Sequence, residues 1–235
     1  MTLIIFQNDL GTALIFSSFI LVLYREGLSI NILFFFLILG VVCLLSLLIN
    51  QMILIYIFSF IAVICILFFR FNKKDILTIL FSWTFSIVLV MGTNYFVNNI
   101  LSDHHTKRIN ILLGKEFDPY GAGYNLIQSK IAIGSGGGVG KGFLNGTQTR
   151  FDFVPEQSTD FIFCTIGEEW GFLGSLAFIL LFIGLISRVI LLSERQRSSF
   201  SRIYGYSVAC ILFFHFTINI GMTVGLIPTV GIPLP

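Results

Sequence analysis

A single carboxylate, Asp160, stands where a polar, glycine-rich stretch of residues 98–159 gives way to a strongly apolar segment. Ionisable residues at a membrane boundary are costly unless they are used, so this position is a candidate functional site. A positioned carboxylate is one of the groups that act as general acid or base in enzymes. From the residues alone, the simplest role of Asp160 is to cap the helix expected to begin at Phe161.

Three further acids lie close to Asp160 in the sequence. Asp152, eight residues upstream, is either a second acid or metal ligand at the same mouth, or a solvated loop carboxylate. Glu168 and Glu169 fall inside the apolar segment, about 12 Å deeper than Asp160 along a helix. Charges inside a span are expensive, so at least one of them must face a polar interior. A structural ion pair is their favoured role, ahead of catalysis.

The segment from Gly134 to Gly142 is rich in glycine and ends in Gly-Lys-Gly. It fails the phosphate-loop pattern G-x-x-x-x-G-K-[ST], because Ser135 and Gly142 occupy its first and last positions. We therefore expect no nucleotide cofactor. With Lys130 and Lys141 nearby, the glycines are suited to an anion-binding nest for a lipid pyrophosphate. The alternative is a flexible turn.

Membrane-spanning helices must position these groups. Hydrophobic residues make up 56% of the chain and charged residues 11%, which excludes an ordinary soluble domain. A spanning helix needs roughly 20 mostly apolar residues. The candidate spans are residues 10–24, 30–49, 52–69, 76–97, 161–192 and 203–227. The sequence thus predicts an all-α fold, a polytopic transmembrane helix bundle.

Basic residues orient these spans by the positive-inside rule. Arg25 follows the first span, and Arg70, Lys73 and Lys74 follow the third. The connection between the last two spans is surrounded by Arg188, Arg195, Arg197 and Arg202. Alternating spans bring all three clusters to the cytoplasmic side, so residues 98–159 form a large extracytoplasmic loop.

That loop is far longer than a usual connection, and such loops are functional or disordered. Its many apolar anchors argue against disorder. Residues 124–133 have apolar positions at helical spacing, which predicts an amphipathic or re-entrant helix. We therefore interpret residues 1–235 as a single membrane domain whose loop contains short helical or re-entrant pieces.

Short motifs recur along the chain in an order typical of one known family. They occupy residues 8–14, 118–124, 128–137, 140–142, 146–149, 155–163, 167–171, 219–222 and 231–235. Together they resemble the SEDS family of membrane proteins (RodA, FtsW and SpoVE). The Gln-Ser-Lys-Ile and Gly-Thr-Gln pieces are similar to its RodA branch rather than its FtsW branch. The resemblance covers most of the chain apart from about residues 29–97.

The chain departs from the family pattern in several places. It begins about halfway along that pattern and stops at Pro235, before a last family helix. Two apparent extra spans, residues 30–49 and 52–69, precede the large loop. Ser158 stands where relatives usually have histidine. We therefore expect the chain to be an incomplete, C-terminal portion of such a protein, and a non-catalytic scaffold fragment is an alternative to an active enzyme.

The resemblance implies an inverting peptidoglycan glycosyltransferase that polymerises lipid II into glycan strands for cell elongation and rod shape. Asp160 matches the family's essential aspartate, which implies a general base for the acceptor hydroxyl or a ligand for an activating metal. Oxygen ligands favour Mg²⁺ or Mn²⁺ as that metal. Pyrophosphate leaves as an anion, so one carboxylate and several cations suffice.

The resemblance also implies substrate contacts and partners. The implied substrate-binding residues are Gln128, Ser129, Lys130, Lys141, Arg150 and Glu156. The implied partners are a class B penicillin-binding protein and the elongation machinery, and the implied location is the bacterial cytoplasmic (inner) membrane. The net charge of +2 is too small to indicate a nucleic-acid partner.

A transporter class stays open beside the polymerase. A lipid II flippase would use the same outward cavity, cationic mouth and intramembrane carboxylates. It should depend on Glu168 or Glu169 near the midplane, whereas a polymerase should depend on Asp160 at the outer mouth. The position of the indispensable acid separates the two classes.

Overall fold

The computed structural model describes the chain except residues 1–3, 5, 6, 8, 69–72, 102, 117, 119 and 122. Its helices are α1 Leu10–Ser17, α2 Phe19–Arg25, α3 Ile30–Leu48, α4 Gln51–Phe68, α5 Lys73–Tyr95 with a π-helical turn Phe96–Ile100, α6 Asp103–Leu112, α7 Tyr124–Gly136, α8 Thr147–Arg150, α9 Ile162–Glu194 and α10 Ser199–Val224. No strand occurs among the described residues. The predicted all-α fold is confirmed.

Four helices, α3, α5, α9 and α10, are long and apolar enough to cross a membrane. Helix α4 and residues 11–25 are shorter apolar helices. Every predicted span therefore contains helix, but the first is divided at Ser18 into α1 and α2. The predicted helix within residues 124–133 is present as α7, and it extends to Gly136. Arg70, which contributed to the predicted topology, lies outside the described residues.

The helices group into two compact units, residues 29–106 and residues 1–28 with 107–235. The smaller unit contains α3, α4 and α5, which pack around a core of Val42, Leu54 and Val90. Its polar side chains pair between helices, since the Trp83 indole donates to the Ser59 hydroxyl at 3.1 Å. The two spans that the sequence analysis set apart from the family pattern, residues 30–49 and 52–69, fall within the range of this unit.

In the larger unit, α9 packs against α7 and α10. Phe182 of α9 stacks on Phe216 of α10, with ring centroids 4.4 Å apart. At one end of the unit, Arg25 binds Glu194 and Arg202 binds Glu26, both at 2.8 Å. These ion pairs bring together the end of α2, the end of α9 and the start of α10. Arg25 and Arg202 thus lie at the same end of the unit, as the positive-inside rule predicted.

Helix α9 is broken at Gly171, whose backbone has φ 62° and ψ −159°. In a continuous helix, Phe172 N–H would donate to the Glu168 carbonyl, and Leu173 N–H to the Glu169 carbonyl. Here Phe172 and Leu173 instead donate to the carbonyls of Gly137 and Gly138, at 2.9 and 3.1 Å. The glycine-rich turn after α7 therefore replaces the helix's own partners on the N–H side.

The same turn supplies donors to the carbonyls that the break leaves free. Lys141 N–H donates to the Glu168 carbonyl at 3.1 Å, and Gly142 N–H donates to the Glu169 carbonyl at 2.9 Å. Because Gly140 N–H bonds to Gly136, three amides of the turn are used within the protein. The anion-binding nest suggested by the sequence is therefore wrong for these three amides. The glycines instead allow close backbone approach.

Candidate functional site

Glu168 is fully buried on the first half of α9, and its carboxylate is surrounded by donors. One oxygen accepts from the Lys141 ammonium at 2.7 Å and from Gln148 N–H at 2.9 Å. The other accepts from the backbone N–H and the hydroxyl of Thr149, each at 2.9 Å. Thr147 donates at 3.3 Å and Ser135 at 3.4 Å. The carboxylate is thus saturated.

These contacts give Glu168 a structural purpose. Two of its donors are backbone amides in the short helix α8, where unpaired N–H groups favour an anion. The ion pair with Lys141 is the contact expected for a carboxylate in this segment. Glu168 therefore fastens residues 141–149 onto α9. The Lys141 ammonium is bound to Glu168 in this cluster. Its predicted role in substrate binding stays a prediction.

Asp160 lies in the turn just before α9, eight residues before Glu168. The N-cap residue of α9 is Phe161, and no side-chain hydrogen bond caps the helix. The Asp160 carboxylate accepts no hydrogen bond from any residue that the structure describes. The capping role that the residues alone suggested is therefore wrong, and the carboxylate is left available for other chemistry.

The charges around Asp160 tune its carboxyl group. Partial burial raises the pKa of the Asp160 carboxyl, and the neighbouring Glu156 carboxylate raises it further. The Arg108 guanidinium acts in the opposite direction and lowers that pKa. Arg108 is fixed by a 2.8 Å hydrogen bond from its guanidinium to the Thr229 carbonyl. A carboxylate with a raised pKa beside a fixed cation is an arrangement common in active sites.

Asn219 of α10 holds the backbone around Asp160 in place. Its buried side-chain amide donates to the carbonyls of Asp160 and Ile232, both at 2.8 Å. The segment after α10 is thereby tied to the turn before α9. A Cβ atom at Gly231 would lie 3.4 Å from the Asp160 carboxylate, so this segment forms one wall beside it. Three distant parts of the sequence thus meet at Asp160.

Asp152 and Glu156 take different places in the loop. The Asp152 carboxylate accepts a hydrogen bond from the Gln157 amide, and Asp152 has a left-handed φ of 54°. The carboxylate that raises the pKa of Asp160 is Glu156, which itself accepts from the Thr159 hydroxyl at 3.0 Å. The role of Asp152 as a second acid stays a prediction.

The residues predicted on α7 face different surroundings. Ser129 is fully buried, and its hydroxyl donates to the Thr223 carbonyl at 3.0 Å. This contact joins α7 to α10 and encloses the hydroxyl away from any substrate. Lys130 lies exposed with its stem against Gly225, and its ammonium makes no hydrogen bond within the described part of the chain. Gln128 is half-buried on the same helix.

A cavity of about 610 Å³ opens beside the first half of α9. Arg150 and Glu169, both singled out from the sequence, contribute to its wall. Glu168 and Glu169 are neighbours in sequence, yet one is enclosed by donors and the other lines this cavity. Because adjacent residues on a helix point about 100° apart, the two side chains meet different surroundings.

Sequence reasoning missed two residues of this site. The sequence patterns did not single out Arg108, and Asn219 entered only as part of the motif at residues 219–222. No spacing connects either of them to Asp160, because they come from α6 and α10. The only available signal was the presence of Asn219 in a motif that contains polar residues inside an apolar span.

A comparison with protein families assigns the chain by its sequence. A family profile described as "Cell cycle protein", covering FtsW, RodA and SpoVE, matches residues 36–235. The chain belongs to this family. This is the SEDS family that the ordered motifs indicated. Membership of this family, together with four apolar helices long enough to cross a membrane, makes the chain a multi-pass membrane protein.

Curated family members support the RodA-like branch. The peptidoglycan glycosyltransferase MrdB of Escherichia coli (strain K12) is 47% identical over 58% of this chain and 37% of that protein. RodA of Treponema pallidum (strain Nichols) is 38% identical over 61% of this chain and 33% of that protein. A probable FtsW of Coxiella burnetii (strain RSA 493 / Nine Mile phase I) is 38% identical over 65% of this chain and 42% of that protein. The chain thus spans between 33% and 42% of the length of these relatives.

A solved structure of a peptidoglycan synthase complex, which concerns the coordination of polymerization and crosslinking, contains a similar chain. The two chains share 27% sequence identity and a TM-score of 0.47. The alignment covers 79% of this chain and 48% of that chain.

Proposed function

We propose that the complete protein is a RodA-like peptidoglycan glycosyltransferase that polymerises lipid II for cell elongation. The observation that carries this proposal is the Asp160 carboxylate, which caps no helix and stands beside the Arg108 guanidinium. The names of the similar proteins MrdB and RodA support the reaction class. We further propose that the reaction takes place at the outer face of the cytoplasmic membrane.

In this proposal Asp160 is the general base. Its carboxylate takes the proton from the acceptor sugar hydroxyl while the oxygen attacks the anomeric carbon of the donor. The bond from that carbon to the lipid pyrophosphate breaks, and the pyrophosphate leaves as an anion. Cations near the site stabilise the leaving charge. Arg108 and Lys130 are the basic residues that we assign to this task, and the single displacement inverts the anomeric carbon.

A divalent cation is compatible with these residues. Mg²⁺ is usually held by one or two carboxylates together with water and substrate phosphates. Asp160 and its neighbour Glu156 are the carboxylates that would hold it, and the bound ion would stabilise charge on the pyrophosphate. Within the described ranges no cluster of three or more His, Cys, Asp or Glu side chains is present. We therefore propose a site that is completed by substrate, with Mg²⁺ or Mn²⁺ as the ion.

The proposed partners follow the same function. A class B penicillin-binding protein would crosslink the strands that this protein makes, within the elongation machinery. A polymerisation assay should therefore contain such a protein together with lipid II.

The deciding experiment is Asp160→Asn in the complete protein, reconstituted with lipid II and a class B penicillin-binding protein. Asparagine keeps the shape of the side chain but cannot accept a proton at neutral pH. We expect glycan polymerisation to fall roughly 10²–10⁴-fold, the usual loss when a general base is removed. Partner binding should be unchanged. Glycan chains of normal length and yield would contradict the assignment of Asp160.

The same assay tests the metal and the transporter alternative. A chelator should abolish polymerisation, and added Mg²⁺ or Mn²⁺ should restore it; full activity after chelation would leave Asp160 as a base alone. A flippase would move lipid II between leaflets without joining sugars. Because Glu168 is already saturated by donors, it is poorly placed to bind a moving substrate. Lipid II movement without polymer formation would favour the transporter.

A further inference from the structure

Two arginines lie on an exposed, apolar face of α9. Arg188 and the C-cap residue Arg195 are seven residues apart, so they lie on the same side of the helix, about 10 Å from each other along its axis. Both are exposed, and neither forms an ion pair or a hydrogen bond with a described residue. The rest of this face consists of the exposed residues Leu181, Leu185, Leu191 and Leu192. Arg188 therefore has apolar surface on both sides of it along the helix.

The position of Arg188 along α9 puts it just inside the membrane. After the break at Gly171, the helix runs from Phe172 to Glu194, which is about 33 Å at 1.5 Å per residue. The hydrocarbon core of a bilayer is about 30 Å thick. Arg188 lies about 24 Å after Phe172, so a helix that enters the core at Phe172 carries Arg188 near its far edge. Long arginine side chains at such positions extend to the headgroups.

The carboxylates at this end of the larger unit are already paired with other arginines. Glu194 binds Arg25 and Glu26 binds Arg202, both at 2.8 Å. The sequence after α7 offers few other acids, since Glu194 is the only acidic residue that follows Glu169. Neither carboxylate is therefore available to neutralise the arginines on the exposed face of α9.

Exposed aromatic rings indicate the membrane depth at this end of the unit. Phe200 and Tyr204, in the first turns of α10, are exposed, and their ring centroids are 6.4 Å apart. Such rings are typical of the membrane interface. Tyr204 lies about 8 Å along α10 from its first residue, and Arg188 lies about 9 Å along α9 from its last. Because the two helices pack against each other, these residues lie at a similar depth, near the headgroups.

We propose that Arg188 and Arg195 bind the phosphate of an acidic phospholipid, whose acyl chain lies along the leucine-lined face. A cation that faces lipid is costly unless an anion reaches it, and a phosphate at headgroup level provides that anion. The planar guanidinium binds phosphate oxygens with two parallel hydrogen bonds. The positive-inside rule assigns this end to the cytoplasm, the side on which anionic lipids attract basic segments. The occupant is therefore a phospholipid of the cytoplasmic leaflet.

Competition between two phospholipids tests this site in the complete protein. The protein in neutral detergent receives equal amounts of phosphatidylglycerol and phosphatidylcholine with identical acyl chains, and native mass spectrometry counts the bound molecules of each. We expect a clear excess of phosphatidylglycerol on the unaltered protein. Equal retention of the two lipids would overturn the proposal, because the charge of the headgroup would then have no effect.

Removing the two guanidinium groups should abolish this preference. Arg188→Gln should lower the bound ratio of phosphatidylglycerol to phosphatidylcholine roughly fivefold, the usual contribution of one basic residue near an anionic surface. Arg188→Gln combined with Arg195→Gln should bring the ratio close to equality. Arg188→Lys keeps the charge and should retain most of the preference. An unchanged ratio in the double variant would refute the site.

The matched control is Arg197→Gln, the same substitution in the connection between α9 and α10, where the residue is exposed but lies beyond the apolar face. It should leave the ratio nearly unchanged. Equal losses in Arg197→Gln and Arg188→Gln would indicate a diffuse effect of positive charge, and they would contradict a defined site.

Thermal unfolding shows whether Arg188 pairs with protein instead of lipid. In detergent with phosphatidylcholine alone, Arg188→Gln should unfold no earlier than the unaltered protein, since the change removes an unpaired charge from the lipid face. Added phosphatidylglycerol should raise the midpoint of the unaltered protein but not that of the double variant, because a ligand stabilises the state that it binds. A lower midpoint for Arg188→Gln in phosphatidylcholine would place the partner of the guanidinium within the complete protein and would overturn the proposal. None of these measurements requires polymerisation, so their outcome is independent of the role proposed for Asp160.

Discussion

Glu168 and Asp160 lie only eight residues apart at the start of α9, yet their carboxylates have very different surroundings. Glu168 is buried and receives hydrogen bonds from Lys141, from two backbone amides and from nearby hydroxyls. Asp160 is only partly buried, receives no hydrogen bond from a described residue, and has a raised pKa. The Glu168 carboxylate accepts hydrogen bonds within the folded protein at both of its oxygens. The oxygens of the Asp160 carboxylate are free of hydrogen bonds from described residues, so they can accept a proton or bind a metal ion.

The largest expected effect on stability comes from disturbing the saturated site. In Glu168→Gln, an amide replaces the carboxylate, so its NH₂ group faces donors and Lys141 loses its counter-ion. Removing one partner of a buried ion pair typically costs about 3–5 kcal/mol. We expect the free energy of unfolding to fall by about 3 kcal/mol, measured by thermal or denaturant unfolding in detergent.

Asp160→Asn is the matched comparison for that measurement. Because the pKa of Asp160 is raised in the folded protein, the charged form is disfavoured there. Any contribution of its protonation to stability is present at acid pH and is lost as pH rises through that pKa. At neutral pH the neutral amide should therefore unfold no earlier than the carboxylate. Equal losses of stability in the two variants would refute the contrast between the sites.

A smaller loss should follow from filling the space between the glycine-rich turn and α9. Gly140 has a left-handed φ of 87°, and a Cβ atom there would lie 2.2 Å from the Glu169 carbonyl oxygen. We expect Gly140→Ala to destabilise the protein by about 2–3 kcal/mol, from overpacking together with backbone strain. Gly138→Ala is the control, since no atom lies within 4 Å of its Cβ position. Equal unfolding midpoints for both variants would contradict the close backbone approach.

The smallest effect should be a shift in pH dependence at the unsaturated site. A base must be deprotonated, so polymerisation should decline as pH falls through the raised pKa of Asp160. Arg108 lowers that pKa, so Arg108→Gln should move the acid limb of kcat/KM to higher pH. Lys107→Gln removes the same charge from the exposed neighbouring residue and should leave the limb in place. An unmoved acid limb in Arg108→Gln would separate Arg108 from Asp160.

Sequence patterns predicted the helices well, because a long apolar run specifies a spanning helix almost regardless of its neighbours. The sequence also located Asp160 and the polar loop, because a charged residue next to a long apolar run can be recognised without a structure. The break at Gly171 was not visible. Glycine is tolerated in spanning helices, so a break depends on which distant backbone groups are available to replace the lost hydrogen bonds.

The roles of individual side chains were harder to predict for a similar reason. The family resemblance implied that Lys141 binds substrate, but in the structure its ammonium pairs with the Glu168 carboxylate on α9. The family resemblance implied a substrate contact for Ser129, but its hydroxyl is buried against α10. Arg108 reaches the site because α6 lies beside the segment that follows α10. Each of these outcomes depends on packing between distant segments, which a single sequence does not encode in any local spacing.

The break in α9 makes folding of this region a competition between two hydrogen-bond networks. A straight α9 would form two internal bonds, from Phe172 and Leu173, and would leave Lys141 and Gly142 without their partners. The native arrangement replaces those two bonds with four between segments. The glycine-rich turn is synthesised before α9, so it can receive the later segment as that segment emerges. A methyl group at residue 171 would act twice, by favouring the straight competitor and by straining the native backbone.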